Sequence, residues 1–403
     1  MAGEKSVLSH ESLENAFHGI CFSANVSSFG RTWVSQFINH LSKPFFIDPV
    51  SYSFQFPLQN ISKGDTLKKS FSDLVNVYGE PINTAVSNGR EIDISDFNDS
   101  NIASMVENIF NFQRNIAVPE SSSQMSLLEY TEWLDEEITE RIPEFLLVPY
   151  FWFDSIKSDW YELNLKIIEL AKKNSRDIPV YGVICTNKEI IFKEEWIPKI
   201  ISDFDTVDGI LLWLSDFNEH EMSSRTLSFY IKFIQKLSRK KNIISMYGNY
   251  FSMIASKFGL SGMSPGIGIS ESKNVGKQPT GGTFSKKYYV PKAKTMVTDA
   301  EARSFYAENP AAFCTCKICK GSDIRNSKEV HNFFDELAPL DAKRHYCLCR
   351  ASELEEIENG DLNDIKSKLS SNIEFCNSSD LYNIYNIPFK HQARWFSAIQ
   401  EFD

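Results

Sequence analysis

The sequence predicts an α/β fold: a (β/α)8 barrel carrying a small cysteine-rich appendage. Three observations lead there. Short apolar runs of strand length recur along the first 270 residues. Longer segments with helical periodicity separate them. Five of the eight cysteines then fall together between residues 314 and 349. A doubly wound open sheet is the alternative reading of the same alternation.

The strand runs are His18–Ser23, Phe45–Asp48, Glu91–Ile94, Phe145–Pro149, Val180–Cys185, Asp208–Leu214, Ile243–Gly248 and Leu260–Ser264. The third is acidic and short. Between them, Trp160–Lys173 spaces Leu163, Leu165, Ile167, Ile168 and Leu170 as a helix would. Ser223–Lys240 does the same with Leu227, Tyr230, Ile231, Phe233, Ile234 and Leu237. These place a barrel body at residues 1–270, a basic loop and metal subdomain at 271–350, and C-terminal helices at 351–403 that pack back on the barrel. The last region opens with a charged helix predicted at Ser352–Leu369 and ends in an aromatic tail with Tyr382, Tyr385, Phe389, Trp395 and Phe396.

Composition narrows the function. Of 403 residues, 42% are hydrophobic and 31 are Phe, ample for a core. The net charge of −11 disfavours a nucleic-acid binder, which needs a basic surface to neutralise phosphates. The polar N-terminus has no apolar signal core, and no run of 18 apolar residues occurs, so a cytoplasmic protein without a membrane segment is expected. Its cysteines are then expected to be reduced. Cys21 and Cys185 lie in apolar runs and read as buried small hydrophobes.

After Gly262 the composition changes. Ser264-Pro265-Gly266-Ile267-Gly268 opens a loop-like stretch that runs to Gly281-Gly282. Six lysines and no acid occupy 273–294 (Lys273, Lys277, Lys286, Lys287, Lys292, Lys294). This is either a solvated loop or an anion-contacting surface.

Cys314, Cys316 and Cys319 follow in a C-x-C-x2-C pattern, and 25 residues separate Cys319 from His345. Thiolates with one imidazole suit tetrahedral Zn2+, and a distant fourth ligand would tie a second segment to the loop. No acid–base pair stands beside the motif, so a closed structural site is preferred. On spacing alone, His331, Cys347 and Cys349 compete with His345 for the fourth position.

C-x-C-x2-C-x25-H resembles the zinc signature of the tRNA-guanine transglycosylase family, which follows the eighth strand of a TIM barrel. The resemblance selects His345. Family members exchange guanine for a 7-deazaguanine in nucleic acid through an aspartate nucleophile, with a second aspartate handling protons. The matching positions here depart from that pattern. Ser264 stands where the nucleophile would be. Trp213 and Leu214 replace a glycine pair that leaves room for the base, and Tyr150 follows where a base-reading aspartate would lie. Asp48 remains, at the end of the second strand like the proton-handling aspartate. Asp154 and Asp216 are further carboxylates at strand ends.

The resemblance therefore implies an inherited scaffold with its chemistry removed. The expected function is binding of a protein partner. Such homologues occur in type IV CBASS anti-phage operons, where the partner is a nucleotidyltransferase carrying a 7-deazapurine group. The alternative is an active transglycosylase using Asp48, Asp154 or Asp216, with the lysine stretch tracking tRNA or DNA. A third class is a zinc-held scaffold with no small ligand.

Overall fold

The computed structural model describes residues 2–41, 43–118, 141–175, 177–267, 271–276 and 286–402. Gly268, Lys277, Gly281 and Gly282, singled out above, lie outside them.

Five parallel strands form the main sheet in chain order: β5 (Leu146–Leu147), β6 (Val180–Thr186), β7 (Gly209–Leu214), β8 (Asn242–Met246) and β9 (Gly262–Ser264). The preceding β1 (Ile20–Ser23) and β2 (Phe45–Asp48) pair parallel in a second sheet. A short hairpin, β3 (Ser62–Lys63) with β4 (Thr66–Leu67), follows β2. The two parallel sheets meet where the Glu144 N–H donates to the Phe45 carbonyl at 2.8 Å, and Phe46 stacks on Phe145 at 4.6 Å. Strand order never reverses, so the main sheet lacks the switch point of a doubly wound fold.

The central strands β6 and β7 form because both their faces are covered. Every residue of β7 is buried, as a central parallel strand requires. Gly209 opens β7 because a Cβ there would meet the Tyr181 ring at 2.3 Å. That ring in turn stacks on Phe145 at 4.0 Å.

The expected strand at Glu91–Ile94 is a correction. Ile92 is buried and its N–H donates to the Phe54 carbonyl at 2.9 Å, but no ladder extends from it. Asp93 instead caps a 3-10 turn, Ile94–Asp96, in a reciprocal capping box. Local aspartate–backbone bonding wins over pairing in so short and acidic a run. The chain is thus a mixed α/β fold with a curled, half-barrel parallel sheet.

Helices cover the outside as their periodicity predicts. Asp159–Lys173 starts at Ser158, whose hydroxyl accepts the Tyr161 N–H, and buries Leu163, Ile167 and Ile168. Ser224–Leu237 buries all six residues named for it, under an equivalent cap from Ser223. The helix expected at Ser352–Leu369 is instead two, Pro339–Asn359 and Leu362–Ser378. Gly360 separates them, and Asp361 and Asp364 form a capping box that starts the second.

A second hydrophobic core belongs to the C-terminal part. It packs the antiparallel hairpin β10 (Lys287–Val290) and β11 (Thr295–Thr298) against the helices Asp299–Glu308 and Ser327–Glu336. The aromatic tail divides between the cores. Tyr385 and Phe389 join this one, and Trp395 is buried in the first. The Trp395 indole N–H donates to the Glu219 carbonyl at 3.0 Å, while Tyr382 stays exposed. Among the described residues, no helix is long and apolar enough to cross a membrane.

Candidate functional site

The cysteine loop is built by a tight reversal. After the turn Pro310–Ala312, the N–H groups of Cys319 and Lys320 both donate to the Cys316 carbonyl at 3.0 Å. Lys320 has φ 47°, and Gly321 then passes so close that a Cβ would meet the Cys314 carbonyl oxygen at 2.3 Å. This geometry turns three sulfurs to one side.

His345 comes to them from the helix Pro339–Asn359 and is fully buried. Its Nδ1 lies 3.4 Å from Cys316 Sγ and 3.2 Å from Cys319 Sγ. All four donor atoms of Cys314, Cys316, Cys319 and His345 lie within 4.8 Å of one another. A tetrahedral ion at about 2.3 Å from sulfur and about 2.0 Å from nitrogen gives a sulfur–nitrogen edge of about 3.5 Å, close to those distances.

The outer contacts fit the same role. His345 Nε2 lies 2.8 Å from the Tyr289 carbonyl, which can only accept, so Nε2 carries the proton and Nδ1 presents its lone pair to the sulfurs. The Tyr288 ring stacks on the imidazole at 4.2 Å, and its hydroxyl lies 3.1 Å from Cys319 Sγ. Burial opposes an imidazolium here, but the sulfurs of Cys314 and Cys316 outweigh it and push His345 up to about 9. Of the competing fourth ligands, His331 is exposed and bonds the Ser327 carbonyl on its own helix. Cys347 lies outside the four-donor group, and Cys349 lies directly against it.

The strand-end residues form a second constellation. Asp48 ends β2, buried, and accepts the Val50 N–H at 3.0 Å and the Tyr150 hydroxyl at 2.9 Å. Burial raises its pKa, against the pull of the Val50 N–H and the Lys273 charge. Tyr150 stacks on Tyr52 at 5.6 Å, and Trp213, fully buried, sets its edge to Tyr52 at 4.7 Å. Tyr247 completes the group, 5.2 Å from Trp213.

Lys273 enters the middle. Its ammonium lies 5.3 Å from the Tyr52 ring centroid, 5.4 Å from that of Trp213 and 5.5 Å from that of Tyr247. It donates to the Tyr52 hydroxyl at 2.6 Å, while the Trp213 indole N–H donates to the Lys273 carbonyl at 3.0 Å. Three rings thus surround one cation supplied by the chain itself, and the buried Asp48 carboxylate attracts it from beyond contact. Val50 (φ 47°) and Tyr247 (φ 59°) hold left-handed backbone beside this cage, a strain of about 1–3 kcal/mol each that the surrounding packing must offset.

The structure brings Asp48, Tyr150 and Trp213 together, reaches Ser264 only through the Cys21 thiol, and leaves Asp154 and Asp216 apart. Asp154 is exposed beyond β5. Asp216 pairs with the Lys188 ammonium and accepts the Lys188 N–H at 2.7 Å, so it braces the turn Lys188–Phe192. Ser264 ends β9, where its carbonyl accepts the Tyr247 N–H at 3.0 Å, and no hydrogen bond joins it to Asp48 among the described residues.

Sequence reasoning missed Lys273, Tyr52 and Tyr247. A lysine in a basic run reads as solvated, and only the fold reveals that it turns inward. It also missed the network joining the two sites. Arg350 donates to Glu353 at 2.8 Å and to the Tyr289 hydroxyl at 3.0 Å, and it also pairs with Glu271. Lys294 pairs with Glu353 at 2.8 Å. Glu271 accepts the Tyr346 hydroxyl at 2.9 Å and the Asn249 amide at 2.7 Å. The segment 271–276 is therefore anchored on the helix that carries His345, and two residues later it inserts Lys273 into the cage.

No protein-family model matches the chain, and no curated protein matches it.

Proposed function

We propose that this chain is a remodelled transglycosylase-like protein that has lost base exchange and acts by binding a protein partner. The observation that carries this reading is the occupied cage. The indole of Trp213 and the ammonium of Lys273 fill the strand ends where the family resemblance would place a purine. The missing nucleophile adds to it: Ser264 is a hydroxyl held at a strand end with no base hydrogen-bonded to it among the described residues. A covalent glycosyl route without its carboxylate would lose most of its rate.

On this reading the two parallel sheets derive from a (β/α)8 barrel whose third strand has become the capped turn at Asp93. The Cys314, Cys316, Cys319 and His345 site takes Zn2+, which three thiolates and one imidazole suit, and it serves to hold the hairpin β10–β11 to the helix behind it. The partner is a nucleotidyltransferase bearing a 7-deazapurine group in an anti-phage system. The acidic net charge of −11 favours a protein partner over nucleic acid.

The test is base exchange. Purified protein is incubated with labelled guanine and either tRNA or DNA, and in parallel with a nucleotidyltransferase bearing a 7-deazapurine group. No incorporation, with a stoichiometric protein complex, is expected. Incorporation that disappears in Asp48→Ala would overturn the binding-only reading in favour of an active enzyme with a relocated nucleophile.

A further inference from the structure

A fifth donor lies directly against the four that could hold a tetrahedral ion. Cys349 Sγ lies 3.5 Å from His345 Nδ1 and 3.8 Å from Cys314 Sγ. Sulfurs bound to one tetrahedral ion at about 2.3 Å stand about 3.8 Å apart, so Cys349 already keeps ligand-like spacing to two of the four donors. It is buried, and it sits one helical turn beyond His345, on the same face of Pro339–Asn359. The helix delivers an imidazole and a thiol to the same side of the cluster, the thiol against Cys314. A buried cysteine serving only as a small hydrophobe has no reason to keep that spacing.

We infer that Cys349 is a reserve metal ligand, able to complete a four-thiolate site when His345 is displaced. The cluster then has two competent donor sets on one scaffold: three thiolates with imidazole, and four thiolates. Cys349 stands just outside the four donors that lie within 4.8 Å of one another, so the second set forms as its thiol closes on the position His345 vacates one helical turn away. Soft, thiophilic ions would shift the balance towards the second set. The inference rests on the cluster holding a metal ion, not on base exchange or partner binding.

The experiment uses the full chain, with metal content measured by mass spectrometry and the ligand set read from the visible spectrum of the Co2+-substituted protein. Wild type and Cys349→Ala should each hold one ion per chain with the same spectrum. His345→Ala should still hold about one ion, with its cobalt bands moved to the longer wavelengths of four thiolates. His345→Ala/Cys349→Ala should lose the ion, its affinity falling by about tenfold or more below that of His345→Ala. Failure of His345→Ala to hold metal better than the double variant would overturn the proposal, and so would unchanged cobalt bands. If neither His345→Ala nor His345→Asn can be recovered folded, that also counts against it, since a reserve thiol must keep the subdomain closed. Loss of metal from Cys349→Ala itself would overturn it too, by making Cys349 an obligatory ligand. A metal-free wild type would remove the premise and is distinguishable from all of these.

Discussion

Replacing Lys273 by Met keeps a side chain of similar length in the cage and removes the charge. Three ring faces lie within 5.5 Å of the ammonium, and a desolvated cation–π contact contributes about 2 kcal/mol. The bond to the Tyr52 hydroxyl at 2.6 Å is charge-assisted and contributes about 2 kcal/mol more. Desolvating the ammonium opposes these gains. Asp48 offsets part of that cost, and Lys273 and Met order comparable side chains. We expect Lys273→Met to destabilise the chain by about 2 kcal/mol in urea unfolding followed by tryptophan emission, since Trp213 touches the site. A cycle with Tyr52→Phe isolates the contact: the coupling should be about 1–2 kcal/mol. A loss below about 0.5 kcal/mol with coupling near zero would mean that Lys273 does not occupy the cage in solution. The argument for a filled strand-end site would then fail.

Other consequences follow from the buried charges and the cysteine loop. Arg350→Met should cost about 3–5 kcal/mol in the same unfolding assay, because it leaves Glu271 with neutral donors only, Tyr346 and Asn249, and Glu353 with Lys294 as the cation that faces it. Glu219 is buried, which pushes it up to about 7 against the Ser252 hydroxyl and the Asn249 and Ser252 N–H groups. A carboxyl whose folded pKa exceeds its unfolded one binds more protons when folded. Its contribution is therefore present below about 4.5 and lost as pH rises through about 7, on the order of 3 kcal/mol in all. Stability curves of wild type and Glu219→Gln between pH 4.5 and 8 should thus differ in slope, with wild type falling more steeply; parallel curves would contradict the shift. Gly321→Ala should weaken metal retention about tenfold or more under chelator competition, since its Cβ would meet the Cys314 carbonyl oxygen at 2.3 Å.

The parts of the fold legible in the sequence are those fixed by burial. Val180–Cys185 and Asp208–Leu214 read as strands because continuous apolar runs of that length suit a sheet covered on both faces, and β6 and β7 are such strands. The helices at Asp159–Lys173 and Ser224–Leu237 were equally plain from their 3.6-residue period. Errors arose where local polar chemistry competed with pattern. Asp93 turned the short acidic run at Glu91–Ile94 into a cap, and Gly360 with Asp361 broke the charged helix expected at Ser352–Leu369. The C-x-C-x2-C loop was readable because its ligands are close in sequence, whereas the choice among His331, His345, Cys347 and Cys349 depended on tertiary placement. Lys273 was unreadable for the same reason. Its partners Tyr52, Trp213 and Tyr247 come from three distant strand ends, and no local spacing announces a cage assembled that way.

The central claim is that an ion joins the cysteine loop to the helix carrying His345. Native mass spectrometry of wild type and Cys316→Ser, with elemental analysis of the same samples, tests it most directly. One zinc per wild-type chain and less than about a tenth of that in Cys316→Ser is the predicted result. Equal zinc in the two, or none in either, would contradict it.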